Sequence, residues 1–205
     1  MHPAATPAFW HERWTSNQIG FHQQKHNPLL ETHWSIAEGR VLVPLCGASR
    51  DLAWLASRGH EVVGVELSEL ACAKFFEEHG LEPVRQGNRW SAGQVTLVQG
   101  DFFAFDEPGS FDAVYDRAAL IALPPDVRPR YVEHVRRQLA RPRGLVISFE
   151  YDQQKRDGPP FAVMADEVRR LWPEAVECAR EVVDDERWRE LGGVSEVAWT
   201  LSDGG

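Results

Sequence analysis

The sequence predicts an α/β fold: a mostly parallel sheet with helices on both faces and an antiparallel C-terminal edge strand. Three observations predict it. Five short runs of β-branched and apolar residues, 41–43, 62–65, 95–98, 111–115 and 145–149, recur along the chain. Helical patterns fall among them. Buried strands alternating with helices are the signature of a parallel sheet covered on both sides. A last run, 194–201, alternates apolar with polar residues, as a strand at an antiparallel edge does.

The elements follow in order. Residues 1–8 are small and Pro-containing and predict a loose start. An aromatic stretch follows, with Phe9, Trp10, Trp14 and Phe21. Trp10 and Trp14 stand four apart, so a helix puts both rings on one face. The first strand leads into the loop Pro44-Leu45-Cys46-Gly47, then a helix over 51–58 with Leu52, Leu55 and Ala56 on one side and Gly59 as its stop. After the second strand, Ser68 has the chemistry of an N-cap for a helix running to Gly80. Helices are also predicted over 128–139 and 163–171, and a short strand at 181–183.

Composition narrows the function classes. The 205 residues predict one domain, 1–205. A net charge of −9 disfavours nucleic acid or an anionic membrane as the main partner, since both need a positive footprint. Three scattered cysteines give neither a CxxC pair nor metal-ligand spacing, so no metal site is expected. They fit a reducing compartment. No signal pattern opens the chain, and no apolar run reaches the ~18 residues of a membrane span. The expectation is a cytoplasmic monomer acting on a small molecule.

Ligands on open α/β sheets bind outside the carboxyl ends of the strands, where the strand order reverses. At the first strand end, Gly47 lets the backbone turn and approach a ligand closely. Glu66 closes the second strand, 19 residues after Gly47. That is the spacing at which a carboxylate holds a ribose diol; otherwise Glu66 is a solvated strand end. A dinucleotide site would need G-x-G-x-x-G. Here one glycine stands beside Pro44 and Leu45, which favours a nucleoside ligand without a pyrophosphate, such as S-adenosylmethionine. At the third strand end, Asp101 could accept from the adenine amine and Phe102 could pack on its ring. Asp101 could equally be a turn or cap residue. The fourth strand runs into Asp116-Arg117, either a structural ion pair or an arginine over the reacting centre. His11, His22 and His26 are read as surface residues rather than proton relays.

These residues belong to longer motifs. Phe21-His22-Gln23, Val43-Pro44-Leu45-Cys46-Gly47, Gly64-Val65-Glu66-Leu67-Ser68-Glu69, Asp116-Arg117-Ala118-Ala119-Leu120 and Gly158-Pro159-Pro160-Phe161 occur in one order. In sequence and order they resemble the thiopurine S-methyltransferase family, over about residues 10–161. The resemblance implies a Rossmann-like S-adenosylmethionine-dependent methyltransferase. It implies that Trp10, Leu45, Glu66 and Arg117 match cofactor-contacting positions, that Asp101 and Phe102 fall at adenine contacts, and that Phe21 is a substrate-side aromatic. The substrate would be a thiopurine-like aromatic thiol, or a small sulfur, selenium or tellurium nucleophile. Arg117 would act as an electrostatic orienter, and residues 1–22 as a lid. Two features depart from the family. Ala48-Ser49-Arg50 follows Cys-Gly where a lysine is common, and the segment before the fourth strand is short, as in bacterial members. An oxygen or nitrogen acceptor, or a non-catalytic cofactor-binding module, remain the competing readings.

Overall fold

The computed structural model describes residues 2–202. Its strands are β1 (Arg40–Pro44), β2 (Glu61–Glu66), β3 (Val84–Gln86), β4 (Arg89–Ala92), β5 (Val95–Gln99), β6 (Ala113–Asp116), β7 (Gly144–Glu150), β8 (Ala175–Val182) and β9 (Ser195–Leu201). They form one sheet in the order β3-β4-β5-β2-β1-β6-β7-β9-β8. The five central strands, β5 to β7 in that order, are parallel. Both edges are antiparallel. From β1 the chain steps outward through β2 to β5, then returns to lay β6 on the other side of β1. The order therefore reverses between β1 and β6, the switch point outside whose carboxyl ends open α/β sheets take their ligands.

The helices are α1 (Pro7–Thr15), α2 (Pro28–His33), α3 (Arg50–Ser57), α4 (Glu69–Glu78), α5 (Ala119–Ala122), α6 (Arg128–Gln138) and α7 (Ala165–Leu171). Side chains alternate across a strand, so Val41 and Val43 point to one face and Leu42 to the other. On the first face they meet Trp14 of α1, Leu29 and Leu30 of α2, Leu52 and Leu55 of α3, and Phe75 and Phe76 of α4. On the second, Leu42 lies with Leu120 of α5, Tyr131 and Val135 of α6, and Val168 of α7. Each fully buried Leu or Phe of this kind stabilises the fold by about 1.5–3 kcal/mol.

Local chemistry explains the ends. Ser68 and Ser49 cap α4 and α3 by accepting from the N–H groups of Ala71 and Asp51. The chain leaves these helices through Gly80 and Gly59, at φ +61° and +93°. The strands β3 and β4 and the short helices α2 and α5 lie beyond the sequence reading. The β3–β4 hairpin turns at Gly87-Asn88, a glycine-first two-residue loop whose φ of +60° at Gly87 suits a tight hairpin. Helix α2 starts with Asn27 accepting from the Leu29 N–H and Pro28 in the first turn. The final hairpin is longer than expected: β8 starts at Ala175, with a register shift at Glu177/Ala179, and one side faces solvent. Among the described residues, no helix is long and apolar enough to cross a membrane.

Candidate active site

The switch point is framed by the residues that end β1, β2 and β6. After β1, Leu45 takes φ +48° and Gly47 φ +54°. Glycine reaches this region freely, whereas a branched side chain there is strained and such positions cluster at functional sites. Here the strain has local compensation. The Cys46 N–H donates to the carbonyl of Val65 on β2, and the Gly47 N–H donates to Glu66 Oε2 at 2.8 Å. The other oxygen, Glu66 Oε1, accepts from the Ser68 N–H at 2.7 Å. Glu66 is thus no solvated strand end. It is 6% exposed. Burial pushes its carboxyl pKa up, while the N–H groups of Ser68, Gly47 and Leu67 pull it back. A carboxylate accepts about four hydrogen bonds, so capacity remains for a diol.

Asp116 and Arg117 do not pair with each other. Asp116 is buried and faces the second side of the sheet, where it accepts from Tyr131 Oη at 2.7 Å and the Leu120 N–H at 3.1 Å. Burial raises its pKa to about 6 despite these donors. Arg117 points to the first side, with Nη1 at 3.7 Å from Oδ2 of Asp51, and its side chain is only 14% exposed. Successive residues leaving a strand face opposite sides, which is why neighbours in sequence have separate partners here.

The aromatic N-terminal segment covers the same end of the sheet. The Trp14 ring lies over Gly47, 3.3 Å from where a β-carbon would stand. Phe21, 44% exposed, sits edge-on to Trp10 at 6.0 Å and to Trp14 at 5.7 Å. Trp10, half-buried, donates from its indole to the carbonyl of Ala4 at 3.0 Å. His2 packs edge-on against Phe161 of the Gly-Pro-Pro-Phe turn, and the Phe161 N–H donates to Ile121 of α5, a few residues from Arg117. Arg187, which the sequence reading missed, donates to the carbonyl of Gly20 at 2.6 Å. Nothing in the local pattern around Arg187 signals that long-range contact.

Asp101 caps a short 3₁₀ turn, Phe102–Ala104, by accepting from the Phe103 N–H. Phe102, expected at the adenine, follows Asp101 directly. Its ring is 4% exposed and packs against His134, Tyr131 and Phe105, because an apolar ring at a strand end is drawn into the second core. A hollow of about 220 Å³ is lined by Val65, Val98, Gly100, Asp101 and Phe105, among others. A separate cleft of about 370 Å³, between residues 24–26, α3 and His79, lies outside this set of strand ends. His22 also departs from expectation: its side chain is 5% exposed, with Nε2 at 3.1 Å from Glu78. His11 is exposed, and His26 is partly exposed and meets Glu31.

The sequence of the chain matches a known family. Residues 5–200 fit the model of the thiopurine S-methyltransferase family. This chain belongs to the thiopurine S-methyltransferase family. It is 48% identical to the thiopurine S-methyltransferase of Pseudomonas putida over 92% of this chain and 94% of that one. It is 46% identical to the Xanthomonas axonopodis pv. citri enzyme over 94% and 97%. Among solved structures, the fold resembles a Burkholderia thailandensis 1,6-didemethyltoxoflavin-N1-methyltransferase with bound S-adenosylhomocysteine, at TM-score 0.67 and 19% identity, covering 96% of this chain and 87% of that one. It also resembles a TehB-like methyltransferase from Corynebacterium glutamicum, at TM-score 0.55 and 15% identity, covering 98% and 100%. At such identities the likeness speaks for the fold, the Rossmann-like methyltransferase fold. As a thiopurine S-methyltransferase family member, the chain is an S-adenosylmethionine-dependent methyltransferase. The strand ends suit that cofactor: one glycine turn, a buried acid with spare acceptor capacity, and no triple-glycine phosphate loop.

Proposed function

We propose that this family member methylates the sulfur of thiopurine-like aromatic thiols, or of small sulfur, selenium or tellurium nucleophiles. The observation that carries this reading is Arg117, a permanent cation held mostly buried at the end of β6 by a buried carboxylate. Such a charge favours the ionised form of a thiol beside it. Aromatic thiols ionise readily, so the site needs an orienting charge more than a strong base.

S-adenosylmethionine, when bound, supplies an electrophilic methyl group on a sulfonium. The protein's own part is alignment. Glu66 would hold the ribose, the backbone from Leu45 to Gly47 would lie against the cofactor, and Asp101 would meet the adenine from the rim of its hollow. Trp10 would pack on the cofactor and Phe21 on the acceptor. The turn at 158–161 would close the acceptor side through Phe161, which packs on His2. Alignment for in-line displacement is worth up to ~7–11 kcal/mol. Residues 1–22 of this single domain would act as a lid that keeps water from the reacting sulfur. The excess of 31 acidic over 22 basic side chains supports a small-molecule acceptor rather than nucleic acid. We further propose a monomer working in the cytoplasm.

The test is turnover on matched acceptors: aromatic thiols, their phenol and aniline counterparts, and selenols. Methylation of the thiols, with the phenols and anilines inert, is expected. Preferred oxygen or nitrogen methylation would replace the acceptor class. Tight S-adenosylhomocysteine binding without turnover on any acceptor would make the chain a binding module.

A further inference from the structure

Asp51 lies in the first turn of α3, and its contact with Arg117 is the only part of its surroundings used above. The residue is 1% exposed. A buried carboxylate persists only when its partners compensate for lost water. Its partners come from two separate parts of the chain, the loop before α2 and the end of β6. Oδ1 accepts from the Asn27 N–H at 2.8 Å. Oδ2 accepts from Tyr115 Oη at 3.0 Å, and the same oxygen faces Arg117 Nη1 at 3.7 Å.

Two of these partners, Tyr115 and Asn27, have anchors of their own. Tyr115 is 1% exposed and meets Trp34 edge-on at 6.2 Å. Burial, with the Asp51 charge next, pushes the phenol pKa well up, so Tyr115 stays a neutral donor. Asn27 caps α2 and reaches Glu196 on β9 through its amide at 3.2 Å. It also ends the segment that joins the aromatic cover to the body of the fold. The carboxylate therefore sits where the base of the cover, the end of β6 and the arginine meet.

We propose that Asp51 is a positioning residue for methyl transfer, fixing the Arg117 guanidinium in the orientation that favours the thiolate. This rests on the reading of Arg117 given above. Tyr115 and Asn27 leave the carboxylate little rotational freedom, so its charge marks one place for the guanidinium. Among the described residues, the carboxylate that faces Arg117 is that of Asp51, because its sequence neighbour Asp116 is engaged with Tyr131 on the opposite face.

The test compares Asp51→Asn, Arg117→Lys and the double variant. Asparagine keeps the shape and an acceptor for the Asn27 N–H and loses the charge. Turnover is measured on aromatic thiols of graded pKa, with S-adenosylhomocysteine affinity by calorimetry and melting temperature alongside. Asp51→Asn is expected to lower kcat about 10-fold, with the loss growing as thiol pKa rises and the affinity within about 2-fold. In the Arg117→Lys background, the same change should cost under about 2-fold, since residues acting as a unit are non-additive. Equal losses in both backgrounds, flat across thiol pKa, would overturn the proposal and leave Asp51 a structural anchor. Full activity of Arg117→Lys on every thiol would instead overturn the reading of Arg117, and the proposal with it. If Asp51→Asn does not fold, Tyr115→Phe removes one tether and keeps the carboxylate. A loss of about 3-fold in kcat that vanishes in the Arg117→Lys background is then expected, and a loss of the same size in both overturns the proposal.

Discussion

The backbone N–H of Gly47 donates to the Glu66 carboxylate across 2.8 Å. The glycine turn after the first strand and the acidic end of the second are therefore one rigid unit before any ligand arrives. A carboxylate preset in this way loses little freedom on meeting a diol.

That unit gives Glu66→Ala two expected effects. S-adenosylhomocysteine binding should weaken by ~1.5–3 kcal/mol, the range for a hydrogen bond to a charged group. Folding stability should also fall, by ~1–3 kcal/mol for each of the Gly47 and Ser68 N–H groups left buried without an acceptor. Calorimetry and urea unfolding read the two separately. Unchanged affinity in a folded variant would remove Glu66 from the ribose.

Arg117→Lys keeps the charge and loses the planar fork. Turnover should drop most for thiols of high pKa and least for thiols already ionised at the assay pH. Rates on a graded thiol series check this. A uniform loss would point to a role on the cofactor side.

The N-terminal cover divides at Trp14. Its ring is 8% exposed within the first core and lies on Gly47. A cut after residue 22 therefore removes a core side chain, and is expected to cost stability as well as activity, about 3–5 kcal/mol by analogy with Trp→Ala. A cut after residue 10 removes Trp10 and the His2–Phe161 contact and leaves that core. It should fold, bind S-adenosylhomocysteine more weakly and turn over little. Ligand should also slow trypsin at the bond after Arg13. Equal cleavage with and without ligand would return the segment to a purely structural role.

Asp116 makes a prediction about pH. Burial raises its folded pKa to about 6, above its ordinary 3.8. The folded state therefore binds this proton more tightly than the unfolded chain does. The stabilisation is fully present below about pH 4 and is lost as pH rises through 6, on the order of 2–3 kcal/mol in total. Asp116→Asn cannot titrate, so the stability of the natural protein relative to it should decline across that window. The Glu66 shift has the same sign but is common to both proteins. Asp185, lowered to about 2 by Arg187, titrates below the window. Urea unfolding of both proteins from pH 4 to 7 checks this, and a constant difference would refute the shift.

The fold class was legible because its signals are local. Runs of branched apolar residues, serine caps and glycine stops act over a few residues, and they mark β1, β2, β5, β6 and β7 along with α3, α4, α6 and α7. The same locality explains what went unread. The Gly87-Asn88 hairpin has a recognisable turn, but its β3 strand is wholly exposed, so no apolar pattern announces it. The sequence alone also determined which residues end the parallel strands, and so Gly47, Glu66, Asp101 and Arg117 as candidates.

Only the tertiary structure decided how those candidates pair. Whether Glu66 faces solvent or the Gly47 N–H depends on β2 lying beside β1. Whether Arg117 meets Asp116 or Asp51 depends on which side of the sheet each leaves. Phe102 turned inward because the second core had room for its ring, and His22 became buried because Glu78 of α4 lay opposite. Leu45 adopts a left-handed backbone that its side chain disfavours, held by contacts from the adjacent strand. Each of these outcomes is set by a partner distant in sequence, and spacing along a chain carries no information about that partner until the sheet has assembled.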